Sequence, residues 1–268
     1  MPSLEIGADS LLNALRTAPK GSAQGITGWR YEHLRFLFPP DGTGAIGRKQ
    51  AAVLAWGQDL IAGRAPPEVN DLLACERCFA LWKNKDGTKI RPITVGDAVR
   101  RWISRVVLQE YGERIEKHLG VRQYAVRTQD GCAHLYHTVR TAFQMDKSAV
   151  FPQLDAQNTF NAADRQKIMD EVLEHFSELY IFLMFFYGRQ AAPTFFQTDS
   201  GETRVIMSEE GVQQGDVMGP ALFCIGLKPV LDRLAEMLQQ QHPRQSTMIG
   251  AFMDDVGLIF PAGGLKKA

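Results

Sequence analysis

The sequence predicts an α+β fold in which β-hairpins and short strands alternate with amphipathic helices. Three observations lead to this prediction. The chain has 268 residues and is 45% hydrophobic, so it can bury a substantial core as one large domain or two modest ones. Turn signals such as KDG and DSGE separate β-rich runs. Apolar residues recur at helical spacing in the segments between those runs. Strands interleaved with helices, fronted by a lobe of helices and one hairpin, are typical of the α+β class.

The first half of the chain is predicted to contain helices around one hairpin. LLNALRTAP and RKQAAVLAWGQDLIAGRAPP have the spacing of amphipathic helices, and Pro66 and Pro67 are expected to end the second one. CFALWKNKDGTKIRPITV is expected to form two strands joined at the KDG turn. Residues 97–118 and the segment DGCAHLYHTVRTAF are predicted to be further helices.

The second half is predicted to place a strand, two hairpins and long helices in succession. AVFPQLD is expected to be a short strand, followed by a loop and a helix that begins near Asp164. LYIFLMFFYG is predicted to be a buried helix, and PTFFQTDSGETRVIMSEEG a second hairpin. A long helix follows the QQGDVMG loop, with Pro220 tolerated in its first turn. The last hairpin carries Asp254 and Asp255.

Composition argues against several kinds of protein. No apolar run reaches the roughly 18–20 residues that span a bilayer, and the start lacks the layout of a signal peptide. CERC is a lone CxxC motif, and its apolar neighbours favour packing over zinc binding. The chain has four cysteines, Cys75, Cys78, Cys132 and Cys224, which are too few for a disulfide framework in a chain of this size. This predicts a reducing intracellular compartment and does not distinguish the nucleus from the cytoplasm.

The charge is balanced overall and divided unevenly along the chain. Residues 1–150 carry 21 Lys and Arg against 15 Asp and Glu, whereas residues 151–268 carry 9 against 15. Much of the basic excess lies in residues 77–105. A basic lobe beside an acidic lobe suits a polyanion held over a metal site, although ordinary solvated helix faces would give the same counts.

Two adjacent aspartates interrupt the apolar segment TMIGAFMDDVGLIFPA. Asp254 and Asp255 either form a simple hairpin turn, where Asp is common, or present metal ligands at a hairpin tip. Asp155 ends the apolar run VFPQLD and offers a third carboxylate. Such hard oxygen ligands are those that Mg²⁺ prefers. Two ions held this way activate an attacking hydroxyl and stabilise a leaving pyrophosphate. Closely packed carboxylates repel one another, so we expect the cluster to be stable mainly when metal is bound.

Several segments together resemble the fingers and palm of a reverse transcriptase of the kind found in non-LTR retrotransposons. They follow the order of that family and cover most of residues 25–260: GITGWRYEHLRFL, KNKDGTKIRPITVGDAVRR, QYAVRTQDGCAHLYHTVR, LDAQNTFNAADR, GVQQGDVMGPALF and FMDD. Each motif alone is weak, and their order and spacing carry the resemblance. They favour metal ligands over a simple turn at the Asp pair.

The resemblance implies a right-hand polymerase fold with an antiparallel palm sheet packed on helices. Residues 1–75 would form a helical extension, 76–147 the fingers and 148–268 the palm. It implies an RNA-directed DNA polymerase that copies an RNA template from a DNA primer using deoxynucleoside triphosphates. The cofactor would be two Mg²⁺ ions, with Mn²⁺ as an alternative.

The resemblance also implies a role for individual residues. Asp155, Asp254 and Asp255 would be the catalytic, metal-binding triad, with Asp255 supporting the site more than ligating. Phe160 falls at the steric gate that excludes a ribose 2′-OH, although core packing would explain the ring as well. The remaining substrate-binding positions are Arg91 and the more loosely aligned Lys83 and Lys89 for phosphates, with Gln214 and Gly215 near the incoming nucleotide.

Two departures from the family pattern keep other functions open. Thr159 stands where the family usually has alanine, and the chain ends shortly after Asp255. The thumb is therefore expected to be absent, and thumb and endonuclease segments of a parent element would be missing partners. The isolated chain is expected to extend a primer weakly or not at all. The alternatives are a non-catalytic nucleic-acid-binding remnant and an RNA-directed RNA polymerase; QQGDVMGP and Phe160 favour the reverse transcriptase.

Overall fold

A computed structural model describes residues 4–38, 47–155, 158–188, 192–198, 200–243 and 247–262. Within these ranges the α-helices are α1 (Ala8–Arg16), α2 (Tyr31–Phe36), α3 (Arg48–Ile61), α4 (Pro67–Ala74), α5 (Ala98–Leu119), α6 (Gly131–Met145), α7 (Thr159–Ala162), α8 (Arg165–His175), α9 (Ser177–Tyr187) and α10 (Gly219–Gln241). The strands are β1 (Glu76–Trp82), β2 (Ile90–Gly96), β3 (Ala149–Val150), β4 (Gln153–Leu154), β5 (Ala192–Gln197), β6 (Thr203–Ser208), β7 (Met248–Phe252) and β8 (Asp255–Pro261).

The first sheet joins two hairpins that are far apart in the sequence. Its strand order is β2-β1-β5-β6, with antiparallel pairing inside each hairpin and a short parallel contact between β1 and β5. Both hairpins are the predicted ones. The sheet nevertheless takes strands from both sides of the predicted boundary between residues 147 and 148, so the hairpin of β5 and β6 belongs structurally with the hairpin of β1 and β2. The domain limits themselves stay a prediction.

The second sheet is built around β8. Strand β7 pairs with β8 as the predicted terminal hairpin, and β3 and β4 also pair with β8, both antiparallel to it. The prediction of one continuous strand over AVFPQLD is wrong, because Phe151 and Pro152 separate β3 from β4. Proline has no N–H to donate to a ladder. Its carbonyl still accepts a 3.0 Å hydrogen bond from Leu258 N, so both short strands keep one register against β8.

The helices pack around α5, which runs through the main core. Its side chains are buried along most of its length, and Trp102 is fully buried with its indole Nε1 donating to Leu11 O over 2.8 Å. The other buried apolar residues of this core come mainly from α8, α9 and α10 and from the N-terminal helices α1 to α4. A smaller core lies between α10 and the hairpin of β7 and β8. The palm-like sheet is therefore packed on helices, as predicted.

Two helix boundaries differ from the predictions. Pro66 and Pro67 do not end the helix that begins at Arg48, which stops at Ile61; instead they begin α4, with proline in its first turn. Proline suits this position because the first N–H groups of a helix have no intrahelical partner anyway. The earlier helix ends two residues before Gly63, whose φ of +70° is a conformation typical of residues after a helix end. No helix within the described ranges has the length and apolar character to cross a bilayer.

Candidate active site

The tip of the terminal hairpin holds Asp254 in a strained turn. Phe252 pairs with Asp255, which leaves Met253 and Asp254 as a two-residue turn between β7 and β8. Met253 has φ of 56°, in the left-handed region that residues other than glycine rarely adopt. The buried side chain of Gln123 holds this turn, because its Oε1 accepts from Met253 N over 2.9 Å and its Nε2 donates to Met253 O over 3.4 Å.

Asp155 reaches the same end of the sheet by strand register. Gln153 pairs with Gly257 and Leu154 with Val256, so the next position along β4 brings Asp155 level with Asp255 at the start of β8. The register is fixed beside it by Gly257, where a Cβ atom would lie 2.2 Å from Cε2 of Phe151. Residues about a hundred positions apart thus meet at one sheet edge, which is the placement that the sequence predicted.

Asp155 and Asp254 line one polar cavity of about 460 Å³. Of the predicted site residues, only Asp255 and Gly215 do not line this cavity; Asp255 is exposed at the first position of β8. The three aspartates do not form a group whose ligand oxygens all lie within 4.8 Å of one another. The donors in this cavity are carboxylate oxygens, which fit a hard divalent cation. The other predicted residues in its lining are Lys83, Lys89, Arg91, Phe160 and Gln214.

Asp254 interacts with residues of α7 and α10. The hydroxyl of Thr159 donates to Asp254 Oδ2 over 3.3 Å, so the residue that departs from the family pattern touches the carboxylate directly. The buried Cys224 of α10 lies within electrostatic range of the same carboxylate. Burial raises the pKa of the Cys224 thiol to about 12, and the charge of Asp254 adds to this rise. The thiol therefore stays protonated and presents no competing thiolate to a cation at the site.

Phe160 both packs and faces the cavity. Its ring stacks on Phe223 of α10 with 4.5 Å between centroids and 21° between planes, and it is half-buried. Its backbone carbonyl accepts from Val212 N over 2.8 Å, which ties α7 to the loop before α10. Phe160 can therefore serve both in core packing and as a steric gate, because its ring stacks on Phe223 and the residue also lines the cavity.

The basic residues of the first hairpin also line the cavity. Arg91 pairs with Leu81 near the hairpin end, and the main chain of Lys83 donates to Lys89 O over 2.8 Å. All three cationic side chains are exposed. Within the described part of the chain they make no ion pair, so their charges are available to an anionic ligand.

The loop that carries Gln214 is fastened to β2. Thr94 donates twice to the carbonyl of Gln214, from its backbone N over 2.9 Å and from its hydroxyl over 3.2 Å. Gly215 has φ of +117°, and a Cβ atom there would lie 2.1 Å from Thr94 O. The sequence predicts that the Gly215 backbone closely approaches nucleic acid. In the structure this backbone lies close to Thr94 of β2.

A buried ionic cluster lies behind this loop. The guanidinium of Arg100 lies 3.0 Å from Glu76 Oε1, contacts the carboxylate of Asp216, and donates to Gln213 Oε1 over 2.8 Å. Tyr187 also donates its hydroxyl to Asp216. Burial raises the pKa of Glu76 to about 7, against the opposing effect of Arg100. The pKa of Arg100 is raised because its two carboxylate neighbours outweigh the effect of burial. The cluster connects β1, α5, α9 and the Gln214 loop.

The comparisons with known proteins agree with this geometry. Residues 83–263 match the family model described as reverse transcriptase (RNA-dependent DNA polymerase). The chain belongs to the reverse transcriptase family. It is 28% identical over 257 residues to the retrotransposable element SLACS 132 kDa protein of Trypanosoma brucei gambiense. The aligned region covers 94% of this chain and 20% of that protein. The reverse transcriptase chain therefore spans about one fifth of the relative's length. Divalent metal ions are generally used in this family.

Solved structures show the same fold at low sequence identity. Apo telomerase from Candida tropicalis matches with a TM-score of 0.53 and 12% identity, over 76% of this chain and 42% of that one. Telomerase from Candida albicans in complex with a TWJ fragment of telomeric RNA matches with a TM-score of 0.52 and 11% identity, over 75% and 40% respectively. At such identities the likeness concerns the fold, and it confirms the predicted right-hand polymerase architecture with a sheet packed on helices.

Proposed function

We propose that this reverse transcriptase domain transfers deoxynucleotides to a DNA primer on an RNA template. The observation that carries the proposal is that Asp155 and Asp254 line the same cavity as the cationic residues Arg91, Lys83 and Lys89. Nucleotidyl transfer needs carboxylates that hold divalent cations and cations that hold a triphosphate, and the lining of this cavity has both. Membership of the family supports the same reaction.

Asp155 and Asp254 would hold two Mg²⁺ ions, with Mn²⁺ as a substitute. Bound there, the metal supplies charge neutralisation and activation of the primer hydroxyl. Asp255 would support the site from the start of β8, next to the strand that ends in Asp155. Thr159 orients the Asp254 carboxylate through its hydroxyl hydrogen bond. Gln123 keeps the turn in the left-handed conformation that places Asp254 in the cavity.

The incoming nucleotide would bind between the first hairpin and α7. Arg91 grips phosphate oxygens, because a guanidinium offers several donors in one plane, and Lys83 and Lys89 add charge from the same hairpin. Phe160 would meet the sugar and exclude a 2′-OH. Gln214, whose carbonyl is fixed by β2, would contact the nucleotide from the remaining side. The four free cysteines are consistent with a reducing compartment, which we propose as the site of action.

Primer extension on an RNA template tests the proposal. We would measure single-nucleotide addition with Mg²⁺, for residues 1–268 alone and for the same residues fused to a thumb segment from a related element. Asp155→Asn and Asp254→Asn should each abolish addition, because a neutral amide holds a divalent cation poorly. Asp170→Asn, an exposed aspartate on α8, is the matched control and should leave addition unchanged. Equal activity of Asp254→Asn and the parent chain would refute the assignment.

A further inference from the structure

A second group of metal-ligating side chains lies away from the active-site cavity. His118 is in the last turn of α5, and Glu171 and His175 lie on successive turns of α8. Their ligand atoms all lie within 4.8 Å of one another, and in the described part of the chain they form the only such group of three. None of the three lines the polymerase cavity. The sequence did not predict this group, because His118 is more than fifty residues away from Glu171 and His175.

The geometry of the group is set by two packed helices. Residues four apart on a helix share one face, so Glu171 and His175 both point toward the end of α5. Phe176, which is buried, packs edge-on against His118 with 5.2 Å between ring centroids and fixes the imidazole. The two imidazoles lie 4.4 Å apart between centroids, tilted by 43°. This contact places two nitrogen ligands side by side at a fixed helix crossing.

The separation between ligand atoms fits a small cation. Nε2 of His175 lies 3.5 Å from Oε2 of Glu171. Ligands about 2.0–2.2 Å from a tetrahedral Zn²⁺ are separated from one another by roughly 3.3–3.5 Å, as bond lengths of that size require. Small side-chain rotations would bring the third ligand to the same separation, since no pair in the group exceeds 4.8 Å.

His118 carries a buried nitrogen that no other group satisfies. Its Nε2 is shielded from solvent and has no hydrogen-bond partner among the described residues. Buried polar atoms are nearly always paired, so such an atom needs an explanation, and a metal ion is one.

We propose that His118, Glu171 and His175 bind a divalent transition-metal ion, Zn²⁺ in preference to Mg²⁺. Two imidazoles and one carboxylate are a ligand set that Zn²⁺ takes readily and that Mg²⁺, which prefers oxygen, does not. The ion would fasten the end of α5 to the end of α8. The nearby cation Lys228 does not oppose this, because it is paired with Asp232 on its own helix. Because His175 is exposed, water would complete the coordination of the ion.

The competing explanation is an ion pair without metal. Protonated His175 would pair with Glu171 at 3.5 Å and with the adjacent Glu174 at 3.9 Å. That arrangement uses His175 and the two glutamates but leaves Nε2 of His118 unpaired. The two explanations differ in whether His118 contributes to cation binding, and this decides which variants are informative.

Cobalt spectroscopy and zinc competition distinguish the two explanations. The whole chain would carry Cys132→Ser, because this exposed thiol would itself bind soft metals. Co²⁺ should give the intense visible bands of a tetrahedral site with nitrogen ligands, whereas the aspartates of the polymerase cavity give only weak octahedral bands. Zn²⁺ should displace Co²⁺ at one equivalent, and excess Mg²⁺ should not. Zn²⁺ should also raise the melting temperature.

Matched variants assign the site. His118→Gln, Glu171→Gln and His175→Gln should each weaken Zn²⁺ binding by more than about 100-fold, because even second-shell changes cost 10–100-fold. His134→Gln, an exposed histidine on α6, is the control and should bind as the parent does. Circular dichroism without metal checks that each variant is folded. If a histidine variant does not fold, Glu171→Gln still tests the site, because the change is nearly isosteric. Absence of tetrahedral bands, or equal Zn²⁺ affinity in parent and His118→Gln, would overturn the proposal.

Discussion

Replacing Glu76 by glutamine should change how stability depends on pH. Glu76 is fully buried in β1, where Arg100 lies between it and Asp216. One buried guanidinium therefore faces two buried carboxyl groups, and ionising both would leave a net negative charge out of water. A proton on Glu76 removes that charge. Glutamine has nearly the same shape as protonated glutamate and cannot ionise, so Glu76→Gln isolates this one titration.

The magnitude follows from the pKa of Glu76. Burial raises that pKa from 4.5 to about 7, although Arg100 acts in the opposite direction. A carboxyl group with a raised pKa in the folded state stabilises the fold fully below pH 4.5, and this contribution is lost as the pH rises through 7. The difference between the two pKa values corresponds to about 3 kcal/mol of unfolding free energy. Relative to the parent, Glu76→Gln should therefore gain about 3 kcal/mol between about pH 4.5 and pH 8.

Urea unfolding across this pH range measures the effect. The quantity to plot is the unfolding free energy of Glu76→Gln minus that of the parent, because all other titrations cancel in the difference. Glu113→Gln, at an exposed position of α5, is the control for removing one carboxylate. A flat difference, or one that falls with pH, would refute the reasoning. It would mean that Arg100 keeps Glu76 ionised and that the ion pair outweighs the cost of burial.

Three further predictions concern the proposed active site and the loop beside it. Phe160→Ala should raise ribonucleotide incorporation much more than it lowers deoxynucleotide incorporation, and unchanged discrimination in competition assays would leave the ring with packing alone. Gly215→Ala should destabilise the protein and reduce activity, because its Cβ would lie 2.1 Å from Thr94 O; unaltered melting and extension would contradict this. Thr159→Val should lower the extension rate about fivefold, the equivalent of about 1 kcal/mol for one lost hydrogen bond to Asp254, and titration of Mg²⁺ should show whether the effect lies in metal affinity.

Local signals predicted the elements that depend on nearby residues. The KDG and DSGE turns gave both hairpins of the first sheet, and the helix expected near Asp164 begins at Arg165, with the Asp164 side chain accepting from Lys167 N. The hairpin and helix predictions succeeded because turns and caps act over a few positions. That Asp155 and Asp254 line one cavity agrees with what the resemblance to reverse transcriptases implied, and no local signal predicts it.

Long-range contacts were not predictable from the same signals. The parallel contact of β1 with β5 involves two residue pairs, and no sequence pattern in either strand predicts this pairing. The Pro66–Pro67 pair predicts the end of a helix but lies at the start of α4, because proline is common both after a helix and in the first turn of one. Gln123 lay inside a recognised motif, but only the structure shows that it holds Met253. Arg100 looked like one more basic residue of residues 77–105, whereas it is buried and neutralised.

The contacts outside the motifs decide how the motif residues face one another. Arg91 lies on the first hairpin, whereas Asp254 lies at the tip of the terminal hairpin, and no strand pairing among the described residues joins the two sheets. The connection runs from β2 through Thr94 to the Gln214 loop, and from that loop through Asp216 to Arg100. The loop leads directly into α10, which packs beneath the hairpin that carries Asp254. A change in this connection should therefore alter the distance between the proposed triphosphate-binding residues and the proposed metal ligands without touching either group, so nucleotide affinity and turnover should respond together.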